Sequence, residues 1–170
     1  ALEATWRSVH GLVTGVETGG GVELRLLDVT RDELAADAAG ALDRLLGDRG
    51  SADEASVWPL FVAGFTFGAS AEDVALLERL GAIAGRAGGP LLAAADPAVV
   101  GCRSFGETPD HRDWVVDGGA AERWRRLRER PTAQWIGLGM PRVLLRIPYG
   151  KRSDPMSAFD FEELPTGREH

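Results

Sequence analysis

The titratable side chains that could do chemistry are few in this 170-residue chain, and they are scattered along it. The densest group is the run 110–113 (DHRD), in which a carboxylate adjoins the imidazole of His111, as in half of a charge relay. The other two histidines, His10 and His170, lie far away in sequence. Because no two histidines have ligand spacing on one element, the pattern gives no support for a metal site. We interpret the run as a solvated loop.

Nucleophiles and phosphate-binding loops have equally little support. Cys102 is the single cysteine, which excludes an internal disulfide and a cysteine-based metal cluster. Ser104 lacks the flanking glycines of a nucleophile elbow. The glycine-rich run 18–21 (TGGG) precedes a predicted strand, whereas a phosphate cradle follows a strand and opens a helix. The sequence therefore predicts no catalytic residue, no cofactor and no metal.

A cluster of arginines is the most distinctive polar feature. The segment 120–130 is predicted to form a short basic helix with Trp124 and Leu127 on one face. The opposite face carries the candidates for a protein interface, which are Arg125, Arg126 and Glu129. Helical spacing also predicts ion pairs between Glu122 and Arg126 and between Arg125 and Glu129. The alternative to an interface is a solvated face above a tryptophan anchor.

Composition limits the class of protein. The chain is 44% hydrophobic and 26% charged, which is typical of a soluble globular protein. Its net charge of −7 disfavours nucleic-acid binding, because such proteins need a basic excess to neutralise phosphates. No run of 18 apolar residues occurs, so we expect no transmembrane helix. The single cysteine suits a reducing compartment such as the cytoplasm.

The first third of the chain alternates helix and strand patterns. Apolar residues at helical spacing predict an opening amphipathic helix; they are Leu2, Trp6, Val9 and Val13. Alternating apolar and charged residues predict a strand over 22–29. Thr30 and Glu33 form a capping box that begins a helix, which we expect to continue to Gly47. A polar loop over 48–55 follows.

The remaining elements complete an α/β pattern. Apolar runs predict buried strands over 60–67, 90–95 and 135–140. Ser70 is the predicted N-cap of a helix that ends at Gly88-Gly89. The apolar segment 142–147 has no clear periodicity and stays unassigned. The order of elements predicts an α/β layered sandwich, with a mixed, largely parallel sheet flanked by helices. We expect residues 1–170 to form a single domain.

Several stretches, in colinear order, resemble one known family. They are LEATWRSVHGLV, ETGGGVELRLLDVTRDEL, FGASAEDVALLERLGAIA, GGPLLAAADPAVVG and, most specifically, MPRVLLRIPYG with its trailing FDFEE. The chain resembles the large subunit of the contractile sheath of bacterial type VI secretion systems, the TssC/VipB/EvpB family. The segment 47–57 is shorter than the family's insertion, and 114–121 matches loosely. Members of the family extend further at both ends, which implies a domain fragment.

The resemblance implies mechanical work in the bacterial cytoplasm rather than catalysis. Large subunits of this family pair with a small sheath subunit of the TssB/VipA type and self-associate in the sheath. The sheath surrounds an inner tube protein, ejects it by contraction, and is dismantled by an AAA+ ATPase, here through segments outside this chain. Neighbouring subunits are joined by donated strands. No membrane or nucleic-acid partner is implied.

Two other functions remain open at the level of sequence. One is a sheath protein of another contractile injection machine, such as a phage tail. The other is a small-molecule enzyme on a doubly wound α/β scaffold, which the fold class alone permits. Convergent titratable groups in a cleft at the carboxyl ends of the strands would favour the enzyme. A flat surface with unpaired strand edges would favour the sheath.

Overall fold

The computed structural model describes residues 2–46, 59–140, 147, 149–152, 154, 155, 157, 158, 160 and 162. The helices are α1 (Leu2–Gly15), α2 (Arg31–Ala36), α3 (Ala38–Leu46), α4 (Ala71–Ala87) and α5 (Gly118–Arg128). The strands are β1 (Phe61–Phe67), β2 (Leu91–Ala95) and β3 (Ile136–Gly139). The predicted polar loop 48–55 lies outside the described residues, as does all of the segment 142–147 except Ile147.

The strands form a parallel three-stranded sheet in the order β1-β2-β3, with Phe61 beside Leu91 and Leu91 beside Ile136. The predicted α/β class is confirmed, and strands form within 60–67, 90–95 and 135–140. The predicted burial is only partly correct, because some residues of β1 and β2 are exposed and no residue of β3 is fully buried. Each connection moves one strand in the same direction, and such crossovers are right-handed. The crossover helices α4 and α5 therefore lie on the same face of the sheet.

The hydrophobic core lies between these helices and that face of the sheet. Phe67 and Leu77 are fully buried at its centre. Alternate strand residues such as Leu91 point into it, as the pleat of a strand requires. Helix α4 packs closely, because a Cβ built on Gly81 would lie 2.7 Å from Ile136 Cδ1 and 2.9 Å from the carbonyl oxygen of Thr132.

The capping box at residue 30 is confirmed, but the helix it begins is shorter than expected. Thr30 Oγ1 accepts a hydrogen bond from the Glu33 amide at 3.2 Å, and Glu33 Oε2 accepts one from the Thr30 amide at 2.8 Å. The helix ends at Ala36, since Asp37 leaves helical geometry with φ −143°. The Asp37 carboxylate then accepts a hydrogen bond from the Gly40 amide at 2.8 Å. A second capping interaction therefore divides the predicted helix into α2 and α3.

The predicted strand over 22–29 is wrong. The segment belongs to no helix or strand and pairs with no strand in the described part of the chain. Its alternation changes phase at Leu26-Leu27, and Leu27 and Val29 pack against the core while Val22 and Leu26 are exposed. Leu27 and Val29, which pack against the core, belong to the other phase of the alternation. Among the described residues the segment is paired with neither edge strand of the sheet, β1 or β3.

The opening helix α1 forms as predicted, yet its apolar stripe remains exposed. Trp6, Val9 and Val13 lie at the surface, and Trp6 stacks on His10 with ring centroids 5.0 Å apart. On a different side of the helix, the Arg7 guanidinium lies 5.7 Å from the centre of the Tyr149 ring. No residue of α1 belongs to the buried core of the described residues.

Candidate protein interface

The side chains that the sequence offers for chemistry are engaged in local contacts or buried. The run 110–113 forms a short turn in which Asp110 accepts a hydrogen bond from the Arg112 amide at 2.9 Å. The Arg112 guanidinium beside it lowers the pKa of the Asp110 carboxyl below its usual value. His111 is exposed, with its ring edge against Trp114. Cys102 is buried, and its thiol lies 3.8 Å from the Thr108 carbonyl oxygen.

The carboxyl ends of the strands are where ligands bind in α/β sheets. At the end of β1, Arg31 forms an ion pair with Asp73 and donates a hydrogen bond to the Thr66 carbonyl oxygen at 2.9 Å. Asp73 also accepts a hydrogen bond from the Gly68 amide at 2.5 Å. After β2, Asp96 accepts one from the Ala98 amide at 2.8 Å. These polar groups hold α2, α4 and the loops onto the strand ends.

Two kinds of feature are absent from the described residues, a cluster of metal ligands and a membrane-spanning helix. Among residues 2–46, 59–140 and the described positions beyond, no group of three or more His, Cys, Asp or Glu side chains could hold a metal ion. Over the same part of the chain, no helix has the length and apolarity required to cross a bilayer.

Helix α5 is fixed to the core by the face that the sequence predicted. Asp117 caps its N-terminus by accepting a hydrogen bond from the Ala120 amide at 3.2 Å. Leu127 is buried in the core, and Trp124 is half-buried against it. Arginines in the last turn suit the negative end of the helix dipole. The predicted core-facing residues are confirmed.

The opposite face of α5 carries an exposed network of ion pairs. Arg126 Nε lies 2.7 Å from Glu122 Oε1, and Arg125 bridges Glu122 at 2.8 Å and Glu129 at 2.5 Å. The two predicted pairs are confirmed, and the pair between Arg125 and Glu122 is additional. Hydrogen bonds from both guanidiniums lower the pKa of Glu122 to about 2. The same network raises the pKa of Arg125.

A shallow groove of about 200 Å³ lies beside this network, between α4 and α5. Its apolar floor includes Val74 and Leu127, and its rim carries Arg126 and Arg130. Arg130 Nε lies 3.4 Å from Glu78 Oε1 on α4. This groove could not be predicted from the sequence, because it depends on which residues of α4 and α5 meet, and helical periodicity does not show that.

The groove and the adjoining network form the surface we call the α5 basic surface, with Arg125, Arg126, Glu129, Arg130 and Glu78. Segment 118–130 contains five arginines and two glutamates, in a chain whose net charge is −7. Fixed cationic groups around an apolar floor can recognise an acidic protein segment. Nothing in this arrangement provides a nucleophile paired with a base.

Two comparisons with known proteins indicate the family of this chain. Residues 56–170 match the VipB family model, described as the EvpB/VC_A0108 tail sheath N-terminal domain. The chain is also similar to the type VI secretion system sheath protein TssC1 of Pseudomonas aeruginosa, with 32% identity over 178 residues. That alignment covers 98% of this chain and 36% of the relative, so the chain spans about a third of its length. The chain belongs to the VipB/EvpB family of tail sheath proteins.

Proposed function

We propose that this chain is part of a structural subunit of the contractile sheath of a bacterial type VI secretion system and catalyses no reaction. The observation that carries the proposal is the family match over residues 56–170, together with similarity to a sheath protein along nearly the whole chain. In this proposal the subunit acts in the bacterial cytoplasm. Its contribution is mechanical, since a sheath needs rigid bodies whose contacts can change between two lattices.

The proposed partners follow from the same assembly. They are a small sheath subunit of the TssB/VipA type, further copies of the large subunit, the inner tube protein and an AAA+ disassembly ATPase. We assign the ATPase contact to segments outside this chain. Contacts with the small subunit and with neighbouring copies require surfaces on the α/β body itself, and the α5 basic surface is our candidate.

Two properties of α5 support an interface there, its positive charge and the ion pairs that hold Arg125 in place. Arg125 and Arg126 are exposed and do not belong to the hydrophobic core, so packing of the core does not require them. Arg125 is held between Glu122 and Glu129, which reduces the conformational entropy that it would lose on binding. The acidic excess of the chain lies outside this helix. An acidic face of a neighbouring subunit therefore complements the α5 basic surface.

The test compares two double variants in the full-length sheath protein. Arg125→Ala with Arg126→Ala removes the basic network, and Arg86→Ala with Arg103→Ala removes two exposed arginines elsewhere. Each is co-expressed with the small subunit, and sheath tubes are counted by electron microscopy. We expect the α5 variant to melt normally but to assemble few tubes, while the control assembles as wild type. Equal assembly by the two variants would refute the interface.

The rival enzymatic function lacks a comparable observation. At the described strand ends, Arg31, Asp73 and Asp96 are engaged in ion pairs and capping hydrogen bonds that hold local structure. A catalytic cleft would instead present such groups to a substrate. The tail sheath of a phage shares the mechanical class, but the similarity to a type VI secretion sheath protein favours the secretion system.

A further inference from the structure

Two parts of the described chain have different roles in the fold. Residues 59–140 contain all three strands of the described sheet and the helices α4 and α5 that cross over it. Residues 2–46 contain α1, α2 and α3 and contribute no strand to that sheet. The family model matches from residue 56 onward, so it includes the first part and leaves out the second. We call the first part the sheet body and the second the N-terminal segment.

The N-terminal segment has few apolar anchors in the core. Among its described side chains, those that are buried are Leu34, Ala38 and Ala41. Alanine side chains bury little apolar area, so Leu34 is the one large buried side chain among them. Partly buried residues such as Leu27 and Val29 also pack against the core. Local stability follows the number of buried apolar contacts, so hydrophobic packing holds this segment less firmly than it holds the sheet body.

Polar contacts of Arg31 hold the first turn of α2 to the sheet body. Arg31 is the first residue of α2; it forms an ion pair with Asp73 of α4 and donates a hydrogen bond to the Thr66 carbonyl oxygen at 2.9 Å. Its guanidinium also lies 4.9 Å from the centre of the Phe67 ring, which is fully buried. We call the contacts of Arg31 with Asp73 and the Thr66 carbonyl the Arg31 latch.

A second arginine holds the other end of α2. Arg79 on α4 donates a hydrogen bond to the Ala35 carbonyl oxygen at 2.7 Å. The last carbonyl groups of a helix lack partners within it and lie at the negative end of its dipole, so a guanidinium there stabilises the helix. The Arg31 latch is the stronger contact, because its side chains are 35% and 18% exposed, whereas Arg79 lies at the surface, where water screens its charge.

We propose that α2 and α3 form a unit that opens away from α4 while the sheet body stays folded, and that the Arg31 latch holds this unit closed. The latch lies at the junction of the two parts, and α3 is the other element of the unit that packs on α4. Removal of Arg31 leaves the Asp73 carboxylate part-buried without its cation, which disfavours the closed form. Loss of the latch therefore shifts the opening equilibrium without breaking the ladders between β1, β2 and β3.

Opening of this unit changes the surface at the carboxyl end of β1. It withdraws Arg31 from the Phe67 ring and Leu34 from the core, so apolar area becomes accessible there. Such a change suits a protein whose contacts alter during assembly. The latch concerns the chain itself and does not depend on the proposed sheath function, so the two can fail separately.

Amide hydrogen exchange of the intact chain, measured by mass spectrometry, tests the latch. Peptides from 31–46 are compared with peptides from the central strand, 91–95, under conditions in which the exchange rate reports the opening equilibrium. In wild type, we expect 31–46 to exchange faster than 91–95. Arg31→Met keeps an unbranched side chain but removes the charged hydrogen bonds. It should accelerate exchange in 31–46 by roughly tenfold or more and leave 91–95 unchanged.

Arg44→Met is the matched control, because Arg44 is an exposed arginine of α3 in the same segment, and this variant should exchange as wild type. If Arg31→Met loses its cooperative melting transition, Arg31→Lys replaces it. Lysine keeps the charge beside Asp73 but lacks the forked donors, so its acceleration should be intermediate.

Three results would overturn the proposal. Equal acceleration in 31–46 and 91–95 would show that the chain opens as a single unit. An unchanged rate in 31–46 would show that Arg31 does not hold the unit closed. An equal effect of Arg44→Met would show that loss of any positive charge in the segment is sufficient.

Discussion

The Trp124 side chain contains one group that stabilises the fold and another that destabilises it. Its ring packs against the core and holds α5 in place. Within the described part of the chain, its Nε1–H is buried and has no hydrogen-bond acceptor. A buried donor without an acceptor costs about 1–3 kcal/mol. The cost of the buried N–H therefore offsets part of the stability that packing of the ring contributes.

This opposition leads to a prediction for two substitutions at the same site. Trp124→Ala removes the ring and should cost roughly 3–5 kcal/mol of unfolding free energy. Trp124→Phe keeps an aromatic ring and removes the buried N–H, so it should cost less than about 1.5 kcal/mol. Urea denaturation followed by circular dichroism measures both values. A phenylalanine variant as unstable as the alanine variant would show that Nε1–H makes a bond that stabilises the fold.

The ion pairs of this chain differ in burial, and therefore in how much they stabilise the fold. The pairs on α5 are exposed, and such pairs contribute little to stability, because water and salt screen them. The pair between Arg31 and Asp73 is part-buried, and the Arg31 guanidinium also lies 4.9 Å from the centre of the Phe67 ring. Hydrogen bonds to the Thr66 carbonyl oxygen and from the Gly68 amide complete it. This cluster joins α2 to β1 and α4, whereas the α5 network remains available for binding.

At the scale of elements, the close approach of α4 to the segment before β3 depends on Gly81. An alanine there would gain roughly 1 kcal/mol of helix propensity but would have to displace Ile136 and the Thr132 backbone. Overpacking of this kind costs about 1–3 kcal/mol, so Gly81→Ala should be neutral to destabilising. Gly11→Ala is the matched control, because a Cβ on Gly11 meets nothing within 4 Å.

The two variants, Gly81→Ala and Gly11→Ala, are compared with wild type by thermal unfolding in the same buffer. Gly11→Ala should raise the melting temperature slightly, by the gain in helix propensity alone. Gly81→Ala should leave it unchanged or lower it. If both alanines stabilise the chain equally, then Ile136 and the segment around Thr132 can move away at little cost, and the packing of α4 is looser than its geometry indicates.

Elements with local signals could be predicted from the sequence, and contacts between distant elements could not. The capping box at Thr30 and the Trp124/Leu127 face of α5 depend on residues at most a few positions apart. The pair between Arg31 and Asp73 joins residues 42 positions apart, and no periodicity shows it. The error over 22–29 has a related cause, because alternation indicates strand propensity but not whether a partner strand exists. The division at Asp37 was missed, although an aspartate three residues before Gly40 is itself a capping signal.

On the scale of the whole molecule, the sheet and the charge distribution favour assembly over isolated action. One face of the sheet holds the core, and the other presents apolar residues such as Val62 to the outside. Basic residues are concentrated on α5, although the chain carries a net charge of −7. A molecule with one interior-like face and one surface of opposite charge has two separate means of contacting neighbours. Both agree with a protein of the tail sheath family.

The proposed absence of a ligand site can be tested on the whole molecule by thermal stability. A ligand present at one hundred times its Kd stabilises the folded state by about 2.7 kcal/mol, which for a chain of this size raises the melting temperature by roughly 5 °C or more. We expect ATP, GTP, Mg²⁺ and Zn²⁺ each to cause a smaller change, because Arg31, Asp73 and Asp96 are occupied by partners within the protein. If a ligand does raise the melting temperature, the variant Asp73→Asn shows whether it binds at the end of β1 or elsewhere on the protein. A nucleotide or metal that stabilises wild type but not this variant would locate a ligand site at the end of β1 and contradict a purely structural role.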